Sequence, residues 1–407
     1  SNDTVGKLGI EKSMETQLQG TKGSETIFVN HVGKVTETTN YVEPVAGNNV
    51  YLTIDKDLQI ATYRILEEKL ASILYTNIIN AKDFNTSDVS SSNIKIPIYD
   101  VYYALINNNV INTEHFNAND AGENEKKVYH AFVERKAAVF DALQSELVEK
   151  LTAYEKLDME YQVYESYIAE MLYENGIIVR GRVDTADETY IAWTKDEIIS
   201  LNEYLNYCIA MNWIDVTRLN LESQYSDSKE IYDQILEYIF MQLDEDLTFA
   251  KSIYRFMIKK DIISGMQICH ILLEQGLVEI STDEQELFER GGISAFSFMM
   301  NRIKNLDITP AQLALDPYSA SAVITDVNTG EVLALVTYPG YDNNKMANGV
   351  NAQYYSQLLN DLSRPLNNYA TTQMTAPGST FKMVSATAGL MEGFINPYST
   401  YNCTGIF

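Results

Sequence analysis

From residue 76 to residue 309, apolar side chains recur at helical spacing, and this constrains the fold more than any other feature of the chain. Phe132, Val139, Phe140, Leu143, Leu147, Leu151 and Tyr154 share one face of a stretch rich in Glu and Lys, which predicts one long amphipathic helix. Ile231, Tyr232, Ile235, Leu236, Ile239, Phe240 and Leu243 predict a second, and a third is expected near Phe249 to Gln275, where Gly276 could cap it. The polar stretch Lys82 to Asn93 and the run Asn117 to Asn124 read as loops, and no internal repeat is evident. A segment of this size has to bury its own core, so 76–309 is expected to be a mainly helical domain.

The flanks read differently. Ala322 to Thr325 and Val332 to Val336 are β-prone apolar runs joined through Asn328-Thr329-Gly330, the pattern of a β-hairpin. With 407 residues the chain can bury two or three cores. Its formal charge of −26 excludes a general nucleic-acid binder, because phosphates are held by clustered Lys and Arg. The acidic runs Asp244-Glu245-Asp246 and Asp283-Glu284-Gln285-Glu286 suit solvated faces or helix starts better than paired catalytic carboxylates. Cys208, Cys269 and Cys403 have unrelated spacings, and His31, His115, His130 and His270 are scattered, so no disulfide framework, metal site or cofactor is assigned. Of the 28 tyrosines, those at 99, 102, 103, 161, 164, 167, 204 and 207 are read as packing helices with their hydroxyls at the surface, although tyrosines can also stack on sugars. No apolar run reaches the roughly 18 residues that a membrane span needs.

The chemistry lies near the C-terminal end. In Ala376-Pro377-Gly378-Ser379-Thr380-Phe381-Lys382 a Ser-x-x-Lys stands where a loop enters an apolar stretch, Met383 to Leu390. Residues three apart share a helix face, so the Lys382 amine can take the proton of the Ser379 hydroxyl. A lysine normally titrates near ~10.4 and works as a base only where desolvation or a cationic neighbour lowers that value, so the helix is expected to be buried. Ser92-Asn93-Ile94-Lys95 and Ser226-Asp227-Ser228-Lys229 match the same pattern in polar surroundings and read as loop or helix-start residues.

Pro377-Gly378-Ser379-Thr380-Phe381-Lys382 resembles the nucleophile signature of class B penicillin-binding proteins. The stretch Ala322 to Val336 is similar to that family's strand pair, Gly6-Lys7-Leu8-Gly9-Ile10-Glu11 with Leu18, Gly20 and Gly23 resembles its non-catalytic pedestal, and Tyr51 to Gln59 resembles the approach to its transpeptidase domain. The matches run in family order over roughly residues 1–75 and 315–407. Two departures stand out: Asn367-Asn368-Tyr369-Ala370 lies where the family usually has an arginine, and Tyr341-Asp342-Asn343-Asn344 lacks the family's proline. The resemblance implies an α+β, multidomain chain. Residues 1–50 form a partial β-rich pedestal of the dimerisation type, 51–75 and 310–407 the N-terminal part of a β-lactamase-like transpeptidase domain with an antiparallel sheet and helices, and 76–309 a helical insertion.

By the same resemblance the intact protein is a bacterial peptidoglycan D,D-transpeptidase. Ser379 is the nucleophile and Lys382 its base, stem peptides are the substrates, β-lactams are covalent inhibitors, and a membrane glycosyltransferase and other cell-wall machinery are partners. The family's single N-terminal anchor would precede residue 1 and place the protein on the outer face of the plasma membrane. Its further Ser-x-Asn and Lys-Thr-Gly or Lys-Ser-Gly motifs do not occur between Met383 and Phe407, so the 407-residue chain by itself is expected to be inactive. Ser91-Ser92-Asn93 and Ser200-Leu201-Asn202 fit the former pattern only upstream. Two rival readings are a D,D-carboxypeptidase or β-lactamase-type hydrolase and a non-catalytic scaffold or β-lactam sensor.

Overall fold

The computed structural model describes residues 5–85, 93–220, 227–347 and 349–405. Ser92 and Ser226, with Ser90, Ser91 and Ser223, lie outside the described residues, as do Ser1, Asn2 and Phe407. Among the described residues the fold is mixed, about 54% helical with small sheets. The chain forms two compact units: Ser1–Tyr63, Ser321–Gly349 and Pro365–Phe407 make the first, and Arg64–Ala320 with Val350–Arg364 make the second.

The first unit contains two strand pairs. Ser24–Val29 runs antiparallel to Val35–Val42, with register shifts between Ser24 and Thr26 and between Phe28 and Val29. Its turn is closed by Asn30, whose Oδ1 accepts the N–H groups of Val32 and Lys34, both at 3.0 Å. The expected second hairpin is present as Ala320–Thr325 paired with Val332–Tyr338. Asp326 organises its turn by accepting from the N–H of Asn328 (2.8 Å) and Thr329 (2.9 Å), and these bonds hold its carboxyl below the usual aspartate range.

Two side chains extend the Val332–Tyr338 strand into its surroundings. Gln59, in the first turns of the helix Lys56–Asn77, donates to the Leu335 carbonyl (2.7 Å) and accepts from the Leu335 N–H (2.8 Å), so one amide substitutes for a neighbouring strand. Thr337 Oγ1 bonds Asn368 Oδ1 at 3.0 Å and accepts from the Ala370 N–H at 3.1 Å. Ala334, Val336 and Tyr338 are buried, and Tyr63 lies against Tyr338 with ring centroids 5.2 Å apart.

The second unit is a helical assembly around one continuous apolar core that runs from Leu74 to Leu313. The helix Ser228–Glu245 forms as expected and buries Tyr232, Ile235, Ile239 and Leu243. Two other expectations are corrected. The helix carrying Phe132 to Leu147 is Glu123–Ser145, continued by a π-helical turn Glu146–Lys150; it ends at Leu151, which is left-handed at φ 53°, so Tyr154 starts a separate short turn. The stretch Phe249 to Gln275 is two helices, Leu247–Lys259 and Gly265–Glu274, because Asp261 adopts φ 59° and Ser264 starts a new helix with a capping box. Periodicity ran through both breaks because the apolar residues on either side face the same core.

The second break, at Asp261, belongs to a recurring unit that the sequence alone did not reveal. A helix ends on a left-handed residue, isoleucine follows two positions later, and a capping residue stands one further on: Asn109-Val110-Ile111-Asn112, Glu197-Ile198-Ile199-Ser200, Asn212-Trp213-Ile214-Asp215, Asp261-Ile262-Ile263-Ser264, Gly291-Gly292-Ile293-Ser294 and Leu306-Asp307-Ile308-Thr309. Ile111, Ile214, Ile263 and Ile308 are buried. The left-handed residue turns the chain, the isoleucine anchors the turn in the core, and the next side chain satisfies the first amides of the following helix. The first position is a glycine only once in these six, so residue identity hid the pattern.

The tyrosine expectation is also corrected. Tyr164 and Tyr204 are fully buried, and their hydroxyls bond inside the unit, to Glu160 at 2.8 Å and to Tyr173. The acidic runs serve helix starts: Asp246 accepts from the N–H of Thr248 (2.7 Å) and Phe249 (3.0 Å), and Asp283 and Glu284 lie in the first turn of Thr282–Glu289.

Candidate active site

Pro377 has already turned into helical backbone, at φ −66° and ψ −15°. Gly378 then takes φ +58°, a conformation that side-chain-bearing residues adopt at a cost of roughly 1–2 kcal/mol, so a glycine is needed here. Gly378–Thr380 form a 3-10 turn that feeds directly into the helix Phe381–Met391. Thr380 Oγ1 donates to the Pro377 carbonyl at 2.5 Å and fastens that turn. Ser379 thus sits in the entry turn and Lys382 one turn on, as the spacing predicted.

The expected burial is not present. Helix Phe381–Met391 has no buried residue; Phe381, Met383, Val384, Leu390 and Met391 are all exposed, Met391 to 81%. Met383, Val384, Thr387, Ala388 and Met391 form an open apolar face. Among the described residues no hydrogen bond joins Ser379 to Lys382. The sequence correctly marked an apolar helix, but periodicity does not say which part of a protein covers it.

The residues at which the sequence departs from the family pattern have local structural roles. Asn368 bonds Thr337 as described, and Asp342 caps the turn Asn343–Lys345 by accepting from the Asn344 N–H at 2.9 Å. Ser200-Leu201-Asn202 is structural: Ser200 caps Leu201–Ala210 in a capping box with Glu203, and Asn202 donates to the Leu147 carbonyl at 2.7 Å. Lys95, at the end of one upstream match, donates to Asn77 Oδ1 at 2.9 Å. Asp227 caps Ser228–Glu245 beside the other.

Among the described residues the second unit buries three glutamates, Glu125, Glu160 and Glu165, and the last two form sites with no counterpart in the sequence reading. Glu160, 2% exposed, receives both oxygens' bonds from Arg135 Nη2 at 2.7 Å, with Lys260 and Tyr164 completing its shell. Burial alone would raise its pKa, but the bonds from Lys260, Arg135 and Tyr164 outweigh it and hold the carboxyl below the ordinary range. Glu165, also 2% exposed, has an unpartnered Oε2; burial, reinforced by the Glu146 charge, pushes its pKa up to about 8. Among the described residues no cluster of His, Cys, Asp or Glu is suited to a metal ion, and no helix is long and apolar enough to cross a membrane.

Comparison with known proteins finds two matching family segments. Residues 320–406 match the penicillin binding protein transpeptidase domain, and residues 1–52 match the penicillin-binding protein dimerisation domain. Peptidoglycan D,D-transpeptidase MrdA of Escherichia coli (strain K12) is 44% identical over 81 residues, which are 20% of this chain and 13% of that protein. The MrdA of Haemophilus influenzae is 40% identical over 86 residues, covering 21% and 13% of the two chains, and peptidoglycan D,D-transpeptidase PbpA of Mycobacterium tuberculosis is 38% identical over 80 residues, covering 19% and 16%. No solved structure matches the chain. Over residues 1–52 and 320–406 the chain is thus similar to penicillin-binding proteins. The matched stretch spans about an eighth of the length of the MrdA relatives.

Proposed function

We propose that the protein to which this chain belongs is a peptidoglycan D,D-transpeptidase with Ser379 as nucleophile and Lys382 as general base. The observation that carries this reading is the Ser-x-x-Lys at the entry of an exposed helix inside the transpeptidase match. Lys382 takes the Ser379 proton as Oγ attacks the penultimate D-Ala carbonyl of a stem peptide. The oxyanion then collapses, the C–N bond breaks, and the departing D-Ala amine carries off a proton. An amine of a neighbouring stem attacks the ester carbonyl, forms the cross-link and returns the proton to Ser379. The Ser379 backbone N–H is assigned as one oxyanion donor; removing such a donor costs about 10²- to 10³-fold in rate.

The division into a pedestal (1–50), transpeptidase segments (51–75 and 310–407) and a helical insertion (76–309) belongs to the same proposal. So do a location on the outer face of the plasma membrane, stem peptides and β-lactams as ligands, and a glycosyltransferase partner. The 407-residue chain alone is proposed to be inactive, and turnover of a D-Ala-D-Ala peptide by it would refute that part. The test of the whole is gel labelling with a fluorescent penicillin of a protein extended past Phe407, beside its Ser379→Ala variant. Label on the first only is expected. Label on both would remove Ser379 from the role, no label on a folded extended protein would favour a scaffold, and label that turns over rapidly would favour a hydrolase.

A further inference from the structure

The transpeptidase match is continuous from 320 to 406, yet Val350–Arg364 belongs to the helical unit, whereas the chain on both sides of it belongs to the first unit. A buried asparagine holds that segment. Asn108 follows the helix Ile98–Asn107 and is 8% exposed. Its Nδ2 donates to the carbonyls of Ala311 (3.2 Å) and Gln312 (3.1 Å) and to Asp361 Oδ1 (3.2 Å), while its Oδ1 accepts from the Leu362 N–H at 2.8 Å. Asp361 Oδ1 also accepts from the N–H (2.8 Å) and Oγ (2.7 Å) of Ser363, which is fully buried. One side chain therefore ties the end of helix Ile98–Asn107, the turn at 311–312 and the turn at 361–363 together.

A short stretch later, Asn368 and Ala370 are pinned to Thr337 on the Val332–Tyr338 strand, and the chain then reaches Ala376-Pro377-Gly378-Ser379. The approach to Ser379 thus has two fixed points, and the first belongs to the helical unit. The geometry points to Asn108 as a positioning residue, through which the helical unit sets the conformation of the chain leading into Ser379. The link to chemistry rests on the proposed acylation of Ser379; the link to backbone order does not. Asn108 uses both ends of its amide on the same strip of chain, so it fixes the turn's direction as well as its attachment. An aspartate there would turn its donor into a second carboxylate against Asp361.

The test compares Asn108→Asp, the double variant Asn108→Asp/Asp361→Asn, and Ile263→Val, a small core deletion elsewhere in the helical unit. Hydrogen–deuterium exchange of the 407-residue chain is expected to rise ~10-fold or more in peptides covering 361–376 for Asn108→Asp, with exchange in 228–259 unchanged. The double variant is expected to recover much of that protection, and Ile263→Val to leave 361–376 alone. In the extended protein, penicillin acylation of Ser379 is expected to slow about 10-fold for Asn108→Asp and to recover in the double variant. Unchanged exchange at 361–376, or looser exchange with undiminished acylation, would overturn the inference. If the extended wild type formed no adduct at all, the proposed function would fall, and the exchange result would still decide the role of Asn108 in ordering this segment.

Discussion

Replacing Glu165 by Gln should make the helical unit more stable at alkaline pH while changing it little in mild acid. Glu165 is buried, one of its oxygens lacks a partner, and its pKa stands at about 8 against 4.5 for an unperturbed glutamate. The folded state therefore binds a proton that the unfolded chain has released, throughout that window. The stabilisation is full below the unfolded value, declines as pH rises from about 4.5, and is gone above about 8. At about 1.4 kcal/mol for each pKa unit, wild type should lose about 3–5 kcal/mol from this group between pH 5 and pH 9. Glutamine keeps the shape and an acceptor but cannot ionise. Urea denaturation followed by circular dichroism at constant ionic strength should show Glu165→Gln within ~1 kcal/mol of wild type at pH 5, and ahead by about 3–5 kcal/mol at pH 9. An offset between the two proteins that did not vary with pH would refute the claim that this carboxyl is held neutral.

Glu160→Ala, by contrast, should destabilise by roughly 3–5 kcal/mol at neutral pH in the same assay, because it leaves Arg135, 20% exposed, without its bidentate partner. Gly276→Ala should cost ~1 kcal/mol in denaturant unfolding: its φ is +63°, and an added Cβ meets nothing within 4 Å, so backbone conformation alone is penalised. A thiol reagent applied to the native chain should modify Cys403, which is exposed, and spare Cys208 and Cys269, whose buried thiols are pushed upward in pKa; fast modification of a second thiol would contradict the packing of the helical unit.

The features legible in the sequence were those fixed by local rules. Asn328-Thr329-Gly330 between two β-prone runs gave a hairpin, Ser228–Glu245 emerged from its periodicity, and Ser379 and Lys382 fell one turn apart at a helix entry. What was missed depended on contacts distant in sequence. The Glu160 shell joins residues of two helices and Lys260 just past the end of a third, and Asn108 meets residues more than two hundred positions away. The run Asn107-Asn108-Asn109 gave no hint of which asparagine would be buried. The recurring break stayed hidden because its left-handed position is filled by Asn, Asp, Glu, Leu and Gly, and only the isoleucine and the cap repeat. The apolar character of Met383 to Leu390 was plain, yet that helix is exposed, because hydrophobic spacing identifies a face without identifying its cover.

The central claim, that Ser379 is the nucleophile, is tested most directly by intact and peptide-mapping mass spectrometry after incubation with a penicillin. The samples are the protein extended past Phe407, its Ser379→Ala variant, and the 407-residue chain. The account predicts one adduct on the extended wild type alone, carried by the peptide that contains Ser379. An adduct on any other residue, or an undiminished adduct on Ser379→Ala, would contradict it.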